Sequence, residues 1–194
     1  VAAPGTVINI EGGIIRKDAG DPPAVERGDL ELAIVTLPNG PLERLSKQCI
    51  WQDPLVVIVG KDHPLANRKN NTAAIELRDV AAYPAILPSR ATYTHGIVRN
   101  AFTKLGVDLQ VRMETNYLET ILMMVSIGLG WSTLPASMLT DDVISLPIPE
   151  LQLSRQLGTV LHTDRTLSNA GRAMVELLNS HNKVSGVRSN FAKA

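Results

Sequence analysis

Segments with the pattern of a β-strand alternate with segments with the pattern of an α-helix along almost the whole chain. Strand patterns at 32–35, 55–59, 85–88 and 109–114 are separated by polar turns or by helical patterns such as 75–82 and 97–105. Such alternation is typical of α/β proteins, in which helices cover the faces of parallel sheets. The sequence therefore predicts an α/β fold with parallel sheets.

Further segments fit the same alternation. A strand is predicted at 7–11, a short helix at 21–27, a strand at 49–51 and a helix at 167–178, where Ser168 can serve as the cap. The run Leu55–Val59 is continuously apolar and rich in β-branched residues, which favours a strand buried on both faces of a parallel or mixed sheet. The chain is long enough for one large domain or two small ones.

The bulk composition excludes several kinds of protein. The formal net charge is zero, so the chain lacks the basic character of a nucleic-acid-binding surface. Cys49 is the only cysteine, so no disulfide can form within the chain, and a reducing compartment fits. No apolar run approaches the ~18 residues that a membrane span needs. The first residues lack the pattern of a signal peptide, and we expect no membrane association.

The stretch 114–135 predicts a capped helix, a glycine corner and a strand that ends at Pro135. Asn116 can cap the helix, and Glu119 can reach back to the amide of the capping residue. Gly128 and Gly130 then end the helix, since glycine adopts a positive φ easily. The apolar face of this helix comprises Leu118, Ile121, Leu122 and Val125. On its residues alone, this stretch is better explained as an ordinary buried α/β corner than as the wall of a binding site, since glycine-ended helices are common.

No catalytic or metal-binding pattern stands out. The histidines (His63, His95, His162 and His181) do not combine with each other, with Cys49 or with carboxylates at the spacing of metal ligands. The sequence contains no phosphate-binding glycine motif and no nucleophile elbow. We therefore predict no catalytic residue, no metal and no cofactor.

Small polar residues follow three of the predicted strands. They are Thr36 after the strand 32–35, Ser89, Arg90 and Thr92 after 85–88, and Thr115 and Asn116 after 109–114. In open α/β sheets ligands bind at the carboxyl ends of strands, and a helix N-terminus there attracts anions. These residues predict a site for a small polar ligand. For Ser89 to Thr94 the alternative, a capped helix with a solvated arginine, is about equally plausible.

Several segments together resemble the effector-binding domain of LysR-type transcriptional regulators. Gly28-Asp29-Leu30-Glu31-Leu32-Ala33-Ile34 is similar to the family's Gly-x-Leu-Asp-Leu-Ala-Ile stretch, with Glu31 at the acidic position. The run 53–59 followed by His63-Pro64-Leu65-Ala66 resembles its "strand, then His-Pro-Leu-Ala" element. Residues 128–135 resemble its Gly-x-Gly-aromatic-x-x-Leu-Pro corner, and Arg155 precedes the late strand 157–161. The order and spacing agree over about residues 6–180.

The resemblance implies the fold of type II periplasmic binding proteins, with two Rossmann-like subdomains and a ligand cleft between them. Subdomain one would comprise residues 1–72 and 150–194, subdomain two residues 73–149, and the chain would cross near 70–75 and 147–151. Ligand contacts would come from Ser89, Arg90, Thr92, Thr115 and Asn116, with Thr36 opposite. Gly128 and Gly130 would lie at the cleft, where Gly130 would allow a close backbone approach.

The resemblance further implies a cytoplasmic regulatory domain of a bacterial transcription regulator. Its ligand would be a small anionic effector, and the regulator would form a homodimer or homotetramer. DNA would be bound only through a winged helix-turn-helix domain, which has no counterpart in this chain. The family's first effector-domain strand and helix also have no counterpart, so we expect the chain to be a fragment of a longer polypeptide. The alternatives are a solute-binding protein of a transporter, which shares the fold, and an enzyme on that fold.

Overall fold

The computed structural model describes residues 22–38, 40–68 and 74–185. The chain divides into two compact units, residues 1–52 with 156–194 (unit 1) and residues 53–155 (unit 2). The predicted strand at 7–11 lies outside the described residues. No helix in the described part of the chain is long and apolar enough to cross a membrane.

The described part of unit 1 contains two helices, one complete strand and parts of two others. Helix α1 spans Pro22–Arg27, strand β1 spans Leu32–Thr36 and helix α6 spans Asn169–Ser185. Strand β1 pairs antiparallel with the second part of β7 (Leu153–His162), and β7 lies next to β2 (Leu45–Gly60) in the sheet. A buried apolar cluster between α1 and these strands includes Val25, Ala33 and Val160.

Unit 2 contains the remaining elements. Its helices are α2 (Pro64–Arg68), α3 (Leu77–Ala81), α4 (Tyr93–Lys104) and α5 (Leu118–Ser126), with a short 3-10 helix at Ala136–Met138. Its strands are β3 (Ala85–Leu87), β4 (Val111–Glu114), β5 (Ser132–Pro135) and β6 (Val143–Leu146), together with the second part of β2. The apolar face predicted for 114–135 is confirmed, because Leu118, Ile121 and Val125 are buried.

The strand directions agree only in part with the prediction of parallel sheets. Strands β3 and β4 are parallel, as expected for two strands joined by a crossover helix, here α4. Strand β2, however, pairs antiparallel with both β5 and β6. The chain enters unit 2 along β2 directly from unit 1, so no crossover helix sets the direction of this strand. The fold is therefore α/β with a mixed arrangement of strands.

The separate strands predicted at 49–51 and 55–59 are one continuous strand, β2. Pro54, between the two predicted segments, lies within β2 and is exposed. Proline can occupy an exposed position in a strand where its missing amide interrupts no ladder bond. The units divide at 52/53 and 155/156, within β2 and β7. Residues 55–60 pair with strands of unit 2. The subdomain bounds at 72/73 and 149/150, which the resemblance implies, stay a prediction.

Candidate functional site

A short turn joins the end of β3 to the first turn of α4. Thr92 is the N-cap of α4, and its Oγ1 accepts a hydrogen bond from the amide of His95 at 3.2 Å. Its hydroxyl also donates to the carbonyl oxygen of Ser89 at 2.8 Å. Because Thr92 satisfies only the His95 amide, the earlier amides of Tyr93 and Thr94 have no acceptor within the helix. The turn thus presents two amide donors and the partial positive charge of a helix N-terminus.

Asn116 joins this turn from the end of β4. Its Oδ1 accepts a hydrogen bond from the amide of Ser89 at 3.0 Å. The predicted cap by Asn116 is wrong, because α5 begins at Leu118 with Tyr117 as its N-cap and without a side-chain cap bond. The amide oxygen of Asn116 is used across the two parallel strands instead. Thr115 also lies at this edge, since its amide donates to the carbonyl oxygen of Leu87 at 3.1 Å.

Arg90 and Glu114 form a two-point contact at the same edge. The guanidinium Nε of Arg90 lies 2.8 Å from Oε1 of Glu114, and the Arg90 amide donates to Oε2 at 3.1 Å. The side chain of Arg90 is 71% exposed. These hydrogen bonds from Arg90 lower the pKa of the Glu114 carboxyl below its usual range, since they stabilise the charged form.

We expect Arg90→Ala to raise the pKa of Glu114 toward its ordinary value. The substitution removes the side-chain hydrogen bond and the positive charge, which favour the carboxylate. A folded-state pKa below the unfolded value stabilises the fold above the unfolded pKa, and this contribution is lost as the pH falls through the folded pKa. Carboxyl carbon shifts of Glu114, followed by NMR in a pH titration, measure the change. An unchanged Glu114 titration would contradict the contact.

A buried ion pair lies beside the first turn of α4. Nε of Arg155 lies 2.7 Å from Oδ2 of Asp53, and both side chains are almost fully buried. Nη1 of Arg155 also donates to Oγ1 of Thr94 at 3.4 Å. The remaining Nη2 is buried and has no hydrogen-bond partner in the described part of the chain. The sequence did not predict this pair, because its members lie 102 residues apart and no local pattern links them.

The two glycines predicted for the site lie at the other end of β3. Gly128 has φ +83° and ends α5: its amide donates to the carbonyl of Val125, and the Leu129 amide donates to the carbonyl of Met124. These two bonds form a Schellman motif, which confirms Gly128 as the end of the helix. Gly130 is buried against Pro84, the residue before β3. Ser89 follows the opposite end of β3, so the glycines are not part of the Ser89–Thr92 turn.

We expect Gly130→Ala to lower the free energy of unfolding by about 1–3 kcal/mol, a range typical of overpacking. An added Cβ would overlap the carbonyl oxygen of Pro84, which is backbone and cannot rotate away. Gly96→Ala is the matched control: a Cβ there meets nothing within 4 Å, and the position lies inside α4, where alanine is favoured over glycine. Urea unfolding curves of both variants test the prediction, and a Gly130→Ala protein as stable as the parent would contradict it.

Of the predicted site residues, five lie together in unit 2. They are Ser89, Arg90, Thr92, Thr115 and Asn116. Thr36 is half-buried at the end of β1 in unit 1, where it pairs with Leu157. No group of three His, Cys, Asp or Glu side chains among the described residues could hold a metal ion. The turn offers amides, hydroxyls and a guanidinium, which suit the oxygen atoms of a small ligand better than a cation.

Comparison with known proteins settles the family. The family described as "LysR substrate binding domain" matches residues 17–183. The chain belongs to the LysR substrate-binding domain family. The resemblance seen in the sequence is therefore confirmed.

Individual relatives of this LysR substrate-binding domain are regulators. HTH-type transcriptional regulator CatR of Pseudomonas putida is 31% identical over 60% of this chain and 42% of its own length. The RuBisCO operon transcriptional regulator of Acidithiobacillus ferrooxidans is 31% identical over 65% of this chain and 41% of its own. The chain spans about half the length of the curated relatives it matches.

Solved structures similar to this LysR domain include two complexes with small molecules. The regulatory domain of CcmR from Synechocystis PCC6803 in complex with 2-PG has a TM-score of 0.71 and 26% identity, over 82% of this chain and 77% of that one. The effector-binding domain of QuiR in complex with shikimate has a TM-score of 0.72 and 21% identity, over 84% and 76%. The fold is that of type II periplasmic binding proteins, as predicted.

Proposed function

We propose that this chain is the effector-sensing domain of a bacterial LysR-type transcriptional regulator. The observation that carries the proposal is the family match over residues 17–183. It is supported by CcmR and QuiR, whose similar domains are in complex with 2-PG and shikimate. In this proposal a small ligand binds one conformation of the regulator better than another and so changes its action at DNA.

The ligand site that we propose lies at the first turn of α4. The amides of Tyr93 and Thr94 would donate hydrogen bonds to a carboxylate oxygen of the ligand, as amides at helix N-termini commonly do. Ser89 and Thr92 would add hydroxyl contacts to polar groups of the same ligand, and Asn116 would hold the Ser89 segment in place through its bond to the Ser89 amide. The site is thus built mainly from hydrogen-bond donors of one unit.

The charges at this turn indicate what kind of ligand would fit. Arg90 is paired with Glu114, and Arg155 is paired with Asp53, so two positive charges are each balanced by a carboxylate. A ligand with several negative charges would be repelled by Glu114. We therefore propose a small effector with one carboxylate and additional hydroxyl groups. Arg90 would contribute to binding if some of its N–H groups donated hydrogen bonds to the ligand and no longer to Glu114.

We extend the proposal to DNA binding, oligomeric state and cellular location. The relatives are named HTH-type regulators, which supports DNA binding through a helix-turn-helix domain and not through this one. We propose a cytoplasmic homodimer or homotetramer. The family is one of transcriptional regulators, which are not an enzyme class. The relatives do not favour a transporter's solute-binding protein.

A thermal-shift screen with small hydroxylated monocarboxylates tests the proposal. A ligand present at 100 times its Kd should add about 2.7 kcal/mol of stability, which raises the Tm by several degrees. Arg90→Ala should reduce this shift for the same ligand. Arg99→Ala, an exposed arginine of α4 outside the turn, is the control and should respond like the parent chain. An unchanged response of Arg90→Ala to a confirmed ligand would contradict the placement of the site.

A further inference from the structure

A pocket lined by both polar and apolar residues lies in unit 1, far along the chain from the effector residues proposed above. Its volume is about 410 Å³, within the range of small-ligand sites. Its walls come from Ser46 at the start of β2, from His162 at the end of β7, and from the loop that leads into α6. The polar side chains that line the pocket from that loop and from the first turn of α6 are Thr163, Arg165, Thr166 and Arg172.

His162 has a buried donor without an acceptor. The residue is only 7% exposed, and its Nδ1 accepts a hydrogen bond from the amide of Asp164 at 3.1 Å. Because Nδ1 is used as an acceptor, the ring proton must be on Nε2. Nε2 is buried and has no hydrogen-bond partner among the described residues. An unpaired buried donor is costly, and a ligand oxygen in the pocket would supply the missing acceptor.

Two arginines of the pocket have neutral partners. Arg165 donates through Nη2 to the carbonyl oxygen of Arg27 at 3.2 Å. Arg172 donates to the carbonyl oxygen of Leu167 at 2.9 Å and to the side-chain oxygen of Asn169. Within the described part of the chain, neither guanidinium forms an ion pair with a carboxylate. In these contacts the positive charges of Arg165 and Arg172 are therefore not balanced by a negative charge.

The N-terminus of α6 lies next to the pocket, since Leu167 before the helix and Arg172 in its first turn both line it. Ser168 caps the helix, since its hydroxyl oxygen accepts from the amide of Gly171 at 3.1 Å. The nearby carboxylate of Glu31 accepts from the hydroxyl and the amide of Ser168, and so it is held at the cap. The cap leaves other first-turn amides of α6 without an acceptor within the helix.

We propose that this pocket is a second ligand site, which binds a small oxyanion such as a phosphate group or a carboxylate. Arg165 and Arg172 supply charge-assisted donors to the anion, and Nε2–H of His162 supplies a buried donor that fixes its orientation. The site is separate from the effector residues at α4, so one domain would respond to two different small molecules. Coupling between the sites would then make binding at one depend on occupancy of the other.

Isothermal titration of the 194-residue chain with inorganic phosphate and, separately, with succinate tests the proposal. We expect saturable one-site binding of at least one anion, and the anion that binds more tightly distinguishes a phosphate site from a carboxylate site. Arg165→Gln and Arg172→Gln should each weaken binding about tenfold, because each removes a charged hydrogen-bond donor. Arg99→Gln and Arg112→Gln, exposed arginines of unit 2, should bind like the parent chain.

The histidine ring provides a readout that a purely structural role would not change. Nitrogen NMR of the His162 ring should show the Nε2–H signal move downfield on saturation, as it gains an acceptor. Arg90→Gln should leave this shift unchanged, which separates the pocket from the effector site at α4. The proposal is overturned if neither anion binds at millimolar concentration, if both pocket variants bind like the parent, or if the ring signal does not move.

Discussion

Replacing Asp53 with alanine is expected to lower the free energy of unfolding by about 3–5 kcal/mol, because it leaves the buried charge of Arg155 without its partner. The ion pair is 2.7 Å long, and the side chain of Arg155 is only 3% exposed. One nitrogen of the guanidinium already lacks a partner among the described residues, and Thr94 accepts only a long bond of 3.4 Å. The long bond to Thr94 could not replace the lost carboxylate.

Urea unfolding followed by fluorescence measures this effect. Trp131 is buried in unit 2 and reports on the unit that holds the ion pair, provided that the exposed Trp51 is replaced by phenylalanine. The matched control is Asp29→Ala, which breaks the exposed pair of Arg27 and Asp29 and should cost about 0–1 kcal/mol. A loss for Asp53→Ala as small as that of the control would contradict the buried ion pair.

Phe102→Ala is the second substitution with a large expected effect, about 3–5 kcal/mol in the free energy of unfolding. Phe102 is fully buried on α4, and its ring stacks on Trp131 with centroids 5.4 Å apart. Both residues belong to the main apolar cluster of unit 2. Truncation would leave a cavity beneath α4, and the helix would lose its stacking contact with Trp131.

The control for Phe102→Ala is Leu105→Ala, near the same end of α4. Leu105 is 42% exposed, so its truncation removes little buried surface and should cost much less. Differential scanning calorimetry of both variants gives the comparison. Because α4 carries the proposed effector contacts at its other end, we also expect Phe102→Ala to weaken the thermal shift with a carboxylate ligand. Equal losses of stability in the two variants would contradict the packing of Phe102.

Features set by short stretches of sequence could be predicted well. The apolar face of α5 follows from the spacing of Leu118, Ile121 and Val125, and the Schellman end at Gly128 follows from the preference of glycine for positive φ. The turn from β3 into α4 was predicted from the small polar residues that follow a strand. The structure adds that Thr92 is the capping residue.

Features set by contacts between distant residues could not be predicted in this way. Asn116 has the composition of a helix cap, but its oxygen accepts from Ser89, which approaches from a neighbouring strand. No pattern in the sequence near Asn116 indicates that the Ser89 amide lies within hydrogen-bond distance. Likewise, Pro54 suggests a strand break by its own chemistry, yet the pairing partners of β2 keep the strand continuous. The Asp53–Arg155 pair joins two such distant positions, and no local pattern links its members.

The central claim, that a small anionic effector binds at the first turn of α4, is tested most directly by mapping backbone amide shifts. A carboxylate identified in the thermal-shift screen is titrated into nitrogen-15-labelled protein until the shifts saturate. We predict that the largest changes fall on the amides of Tyr93 and Thr94, with smaller ones at Ser89 and Asn116. Shifts confined to residues outside 89–94 and 114–116, or no saturable shift at Tyr93 and Thr94, would contradict the claim.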